Sequence, residues 1–209
     1  MNIGIASFCA LTAIMLAPFS ASADSLVDGS IDAGKARALT CTACHGQEGN
    51  SVNPLWPNIA GQNATYLVTQ LRAFKDGQRN DPLMTSQAML LSDEDMRNLA
   101  VYFESLPAAV SAVEDPGSVS RAEALYRGGN EGAKVAACLA CHGATGRGNP
   151  AAEYPALNGQ HAAYTAKQLR DYASNKRQSD GKTRIMRELS GRLSEEDIVA
   201  IASYVQGLK

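Results

Sequence analysis

The sequence predicts an all-α chain built from one small helical domain written twice. Three observations carry this. The motif Cys41-Thr42-Ala43-Cys44-His45 recurs as Cys138-Leu139-Ala140-Cys141-His142. The residues after it recur at a near-constant spacing, which marks a duplication. The apolar positions follow a helical period, and no credible pair of strands can be found.

The repeat defines the domains. At an offset of 98, Pro57 matches Pro155, Gly61-Gln62 matches Gly159-Gln160, and Tyr66 matches Tyr164. Gln70-Leu71-Arg72 likewise matches Gln168-Leu169-Arg170, and Phe74 matches Tyr172. The offset then grows to 102, pairing Ser92 with Ser194, Asp95 with Asp197 and Tyr102 with Tyr204. The extra residues are placed in the loop around Ser179 to Arg184. Domains are therefore expected at residues 24–106 and 119–209. The linker, 107–118, has two prolines and no period, and should cross both domains as an extended segment.

Each half reads as three helical segments. The first runs into the Cys motif, about Asp32 to Cys44, and about Ser120 to Arg127 with a Gly128-Gly129 break. The second covers Thr65 to Asp76 and Ala162 to Ser174. The third opens at Ser92 and Ser194, each an N-cap with an aspartate three residues on. Met96, Leu99, Phe103 and Leu106 form one apolar stripe, and Ile198, Ile201, Val205 and Leu208 the other.

The repeated motif is the C-x-x-C-H pattern of covalent haem attachment. Cys41 and Cys44, and again Cys138 and Cys141, are spaced to form thioethers to the two vinyl groups of a porphyrin. His45 and His142 then present an imidazole to the iron. A four-thiolate zinc site would need the two pairs close together, and they lie 97 residues apart. A thioredoxin-like pair would follow a strand, and no β-branched run precedes either copy. Neither alternative explains a histidine after both pairs. Two domains in a mature chain of about 185 residues are each small for a generous core, so the haem should supply part of it.

Residues 1–23 carry no charged side chain and end in Ala21-Ser22-Ala23, the signature of a cleaved signal peptide. Cleavage there removes Cys9 and leaves every remaining cysteine in a haem motif, in an exported protein. The apolar run is short for a membrane anchor. No long apolar segment follows residue 23, so the mature chain is expected to have no transmembrane span, and any membrane contact would be peripheral. Nothing in the charge pattern marks a nucleic-acid partner.

The ligand on the far side of each iron decides the chemistry. The chain has 3 histidines, so two bis-histidine haems are impossible. The third, His161, aligns with Asn63 and reads as a polar residue near a helix start. Methionine is the better candidate, because a soft thioether suits haem iron and raises its potential. Met186 lies eight residues before Ser194 and Met84 eight before Ser92, so the repeat selects these two. Met89 faces Gly191 under the same offset, and Met96 falls on the apolar stripe.

These features together resemble cytochrome c4, a diheme family of class I cytochromes c, over the whole mature chain. Tyr154-Pro155 through Gly159-Gln160-His161, with Ile185-Met186-Arg187, is especially similar. The resemblance implies two cytochrome c folds related by a pseudo-twofold axis, with the haem propionate edges facing at the domain interface. It places Pro57 and Pro155 where a proline carbonyl orients the proximal imidazole. Tyr66, Arg72, Tyr164 and Arg170 are candidate partners for the propionates, arginine's planar fork being suited to a carboxylate. Trp56, aligned with Tyr154, is expected to wall the haem pocket.

Charge is shared unevenly. Residues 24–106 hold 6 Lys/Arg against 10 Asp/Glu, and residues 117–209 hold 13 against 9. Such a dipole would steer encounters with redox proteins. With His and Met on both irons, no coordination position stays open for a substrate, which points to an electron carrier rather than an enzyme. The resemblance implies transfer from a quinol-oxidising complex toward a terminal oxidase. A diheme peroxidase or thiosulfate-oxidising cytochrome would need an open or differently ligated haem. A haem subunit of a flavoprotein dehydrogenase is the remaining alternative.

Overall fold

A computed structural model of the chain describes Met1 and residues 26–209; Cys9 and nearly all of the expected signal peptide lie outside them. Among the described residues the regular structure is helical, with isolated bridges but no strand. The first half folds as α1 (Ile31–Arg37), α2 (Leu39–His45), α3 (Ala64–Lys75), α4 (Pro82–Met89) and α5 (Asp93–Glu104). The second repeats this as α6 (Val119–Gly128), α7 (Leu139–His142), α8 (Ala162–Ala173), α9 (Ile185–Ser190) and α10 (Glu195–Gln206).

The last helix of each half begins with a reciprocal capping box. Ser92 accepts from the Asp95 amide and Asp95 from the Ser92 amide, and Ser194 and Asp197 do the same. The apolar stripes behind these caps form the cores. Met96, Leu99 and Phe103 pack with Ala38 in the first half, and Ile201, Val205 and Leu208 with Tyr126 in the second. Cys41 and Cys138 sit against these clusters, so each attachment site is built on its core.

The segment expected to be one helix from Asp32 to Cys44 is two. Ala38 separates them, its amide shared between Gly34 O at 2.9 Å and Lys35 O at 3.3 Å. The turn lets α1 cross α5 at close range while α2 delivers the Cys-x-x-Cys-His side chains. Helices α4 and α9 were not anticipated. For α4 a signal existed: Asp81 caps the Leu83 and Met84 amides, and Pro82 occupies the first turn. For α9 there was none, because it starts from Arg184 at φ 53°, with no side-chain cap.

The halves meet about a pseudo-twofold axis that the hydrogen bonds make explicit. Gln160 Oε1 accepts from Asn58 N at 2.9 Å and its Nε2 donates to Asn58 O at 2.8 Å. Gln62 does the same to Ala156, at 2.8 and 2.9 Å. Arg79 and Arg177 pair their backbones in an antiparallel bridge across the interface. The linker runs over both halves in extended form before a 3₁₀ turn at Pro116–Ser118. It is held by Asn50 Nδ2 to Pro107 O at 3.2 Å and by Gln206 Nε2 to Ala112 O at 3.0 Å. Gly61 (φ 66°) and Gly159 (φ 73°) lie beneath it, and a Cβ on either would come within 2.7 Å of Ala108 Cβ or 2.1 Å of Ala109 O.

Candidate haem centres

Helices α2 and α7 each end on a buried histidine just after two half-buried cysteines. His45 Nδ1 lies 2.9 Å from Pro57 O, and His142 Nδ1 lies 3.0 Å from Pro155 O. A carbonyl can only accept, so Nδ1 carries the proton and Nε2 keeps its lone pair for a metal. Burial holds both imidazoles below the ordinary histidine pKa against the opposing pull of the proline carbonyl, which keeps them neutral.

The four thiols are free, with no disulfide between them. Burial pushes Cys138 up to about 11 and raises Cys41 as well. Among the described residues no three His, Cys, Asp or Glu side chains gather as a metal cluster, so the two Cys pairs do not build a zinc site. Each half thus presents two uncommitted thiols and one imidazole with a free Nε2, the donor set that a covalently attached haem needs.

Met84 and Met186 lie on α4 and α9 and are both half-buried. Met89, on the same helix as Met84, is 57% exposed, whereas Met96 is wholly buried in the core. His161 Nε2 is 2.9 Å from Ser51 O, across the interface. Trp56 and Tyr154 are half-buried, and the Tyr154 ring lies 6.2 Å from that of His142.

The arginines expected at the propionates each face a carboxylate of the chain itself. Arg72 faces Asp93 at 3.7 Å and Arg170 pairs with Glu195, both at the surface. The reason is helical geometry: each arginine comes two residues after the buried-facing Gln70 or Gln168, on another face of the helix. Two arginines that the sequence reading missed are buried instead, Arg79 at 8% and Arg177 at 4% exposure. They cross the interface reciprocally. Arg79 donates to Tyr164 OH at 2.6 Å and Gln168 Oε1 at 2.9 Å, and Arg177 to Tyr66 OH at 2.6 Å and Gln70 Oε1 at 2.7 Å. Each guanidinium also lies 4.5 Å over an aromatic ring, Phe74 or Tyr172. Their signal was the offset of 98 that also joins Tyr66 to Tyr164.

Among the described residues neither buried guanidinium has a carboxylate partner. Two buried cations on neutral acceptors leave an electrostatic deficit that anionic groups would satisfy. Burial works to raise the Tyr164 hydroxyl, but the Arg79 and Arg177 charges outweigh it and hold it below the ordinary phenol value. The carboxylates of two haems are chemically suited to this place.

Comparison with known proteins agrees with this architecture. The cytochrome c family model matches residues 31–107 and 129–209. Cytochrome c4 of Pseudomonas aeruginosa is 45% identical over 180 residues, 86% of this chain and 89% of that protein. The crystal structure of reduced recombinant cytochrome c4 from Pseudomonas stutzeri superposes with a TM-score of 0.84 at 42% identity, covering 87% of this chain and 100% of that one. A thiosulfate dehydrogenase electron acceptor of Stutzerimonas stutzeri is 34% identical over 172 residues, 80% of this chain and 78% of that protein.

Proposed function

The chain belongs to the cytochrome c family, as a diheme relative of cytochrome c4, and from that premise we propose that it relays electrons in the periplasm from a quinol-oxidising complex toward a terminal oxidase. It is an electron carrier with two covalently bound haem c groups, each supplying a one-electron iron couple. In this reading Cys41, Cys44, Cys138 and Cys141 hold the two haems as thioethers. His45 and His142 give their Nε2 to iron, oriented by Pro57 and Pro155. Met84 and Met186 close the opposite side, and Arg79, Arg177, Tyr66 and Tyr164 receive the propionates.

One observation carries the closed-site reading. Each half offers a single half-buried methionine at the equivalent point, while the third imidazole, His161, is engaged with Ser51 O at 2.9 Å. A site closed on both sides exchanges electrons without binding substrate. The relative named as the electron acceptor of thiosulfate dehydrogenase favours a second reading, with the same relay chemistry and a different donor.

Three measurements test the proposal. Each ferric haem should show a methionine–iron charge-transfer band and no high-spin signal. Met84→Ala and Met186→Ala should each turn one haem high-spin and leave the other unchanged; a spectrum indifferent to either change refutes the ligand assignment. Reduction by a quinol-oxidising complex, compared with reduction by thiosulfate dehydrogenase, separates the two donors. A mature amino terminus just after Ala23 would support export by cleavage there.

A further inference from the structure

Helices α4 and α9 are equivalent, yet they differ at one buried position. Four residues after Met84 stands Ala88, and four after Met186 stands Ser190. Residues four apart share a helix face, so each side chain stacks on the side its methionine occupies. Ala88 is 0% exposed and Ser190 1%, so neither can turn to water.

Among the described residues the Ser190 hydroxyl has no hydrogen-bond partner. A serine near the end of a helix ordinarily donates to the carbonyl one turn back, here that of Met186, and Ser190 does not. Leaving a buried hydroxyl unsatisfied costs about 1–3 kcal/mol. Alanine would avoid the cost at no loss of packing volume, as Ala88 shows at the matching position. A donor kept at such a position calls for an acceptor, and the residue that shares its helix face is Met186, whose thioether can accept.

We propose that Ser190 is a positioning residue for the second haem centre: in the haem-loaded protein its hydroxyl donates to the sulfur of Met186, and this makes the two centres unequal. The inference rests on Met186 being an iron ligand. A thioether sulfur accepts weakly, and the bond draws electron density from the lone pairs it offers to iron. Ferric iron depends on that donation more than ferrous iron, so the second centre takes an electron more readily. Met84, with Ala88 on its face, has no such donor. Electrons entering through the first half then run downhill to the second.

The test compares the haem-loaded wild type with Ser190→Ala and Ala88→Ser by spectroelectrochemical titration, with the charge-transfer band read in parallel. Ser190→Ala should lower one of the two potentials, by roughly two- to tenfold in the equilibrium between oxidation states, the worth of one hydrogen bond. It should also shift the charge-transfer band of that haem alone. Ala88→Ser, which installs the hydroxyl in the first half, should raise the other potential. Potentials and band unmoved in Ser190→Ala, together with a higher denaturation midpoint, would show a hydroxyl that is merely buried and overturn the proposal. Failure of the ligand reading looks different: the wild type itself would then lack the band for the second haem.

Discussion

Replacing Gln160 by alanine removes the amide that clamps Asn58 across the domain interface. Its Oε1 accepts from Asn58 N at 2.9 Å and from His161 N at 3.1 Å, and its Nε2 donates to Asn58 O at 2.8 Å. Gln62 makes the matching set, to Ala156 N at 2.8 Å, Asn63 N at 3.0 Å and Ala156 O at 2.9 Å. The two clamps are equal by hydrogen bonding and unequal by burial. Asn58 is 7% exposed, so its freed N–H and C=O find no water; Asn63 is equally buried, whereas Ala156 is only half-buried and its groups reach water. Two stranded groups at about 1–3 kcal/mol each put Gln160→Ala roughly 2–6 kcal/mol down. Gln62→Ala strands one buried group, the Asn63 N–H, and should cost about 1 kcal/mol less than Gln160→Ala. Urea denaturation of the haem-loaded protein, followed by far-ultraviolet circular dichroism, measures both. Equal losses, or a larger one for Gln62→Ala, would refute the argument that burial rather than bond count sets the cost.

Three further outcomes follow from the same contacts. Arg177→Gln should lower the haem potentials in a spectroelectrochemical titration, since losing a buried positive charge favours the ferric state; potentials that stay put would remove the propionate role. Gly34→Ala should destabilise the first half by about 3 kcal/mol in the same urea assay, the upper end of overpacking costs, because the new Cβ would lie 2.0 Å from Asn98 O where α1 crosses α5. For Asp197, burial pushes the carboxyl up, but Arg121 at 2.7 Å and the Ser194 bonds outweigh it and hold the carboxyl below its ordinary value. Its stabilising contribution is complete above the ordinary carboxylate pKa and is lost as pH falls through the lowered folded value. Asp197→Asn should therefore flatten the acid limb of a midpoint-against-pH curve.

The arginines show best where sequence reading reaches its limit. Arg72 and Arg170 belong to a repeated triplet, yet each sits on the outer side of its helix with an acidic partner from the last helix of its half. Arg79 and Arg177 lie in loops, where no period says which way a side chain points. Only the approach of the second half, which brings Tyr164 to one and Tyr66 to the other, makes them buried. Helix α4 shows the opposite case: Asp81-Pro82 is a helix start legible in the sequence itself.

By itself the sequence determined whatever depends on neighbours along the chain. Two thiols and an imidazole within five residues dictate thioether attachment, a serine with an aspartate three residues on dictates a helix start, and the repeat picks Met84 and Met186 out of the methionines. The folded structure alone decided what depends on residues about a hundred positions apart: the crossing of Arg79 and Arg177, the unequal burial behind equal glutamine clamps, and the hydroxyl of Ser190 shut in without a partner among the described residues. The division is physical. Covalent spacing and helical period act over a few residues and can be read locally, whereas burial and desolvation are set by which surfaces close on one another.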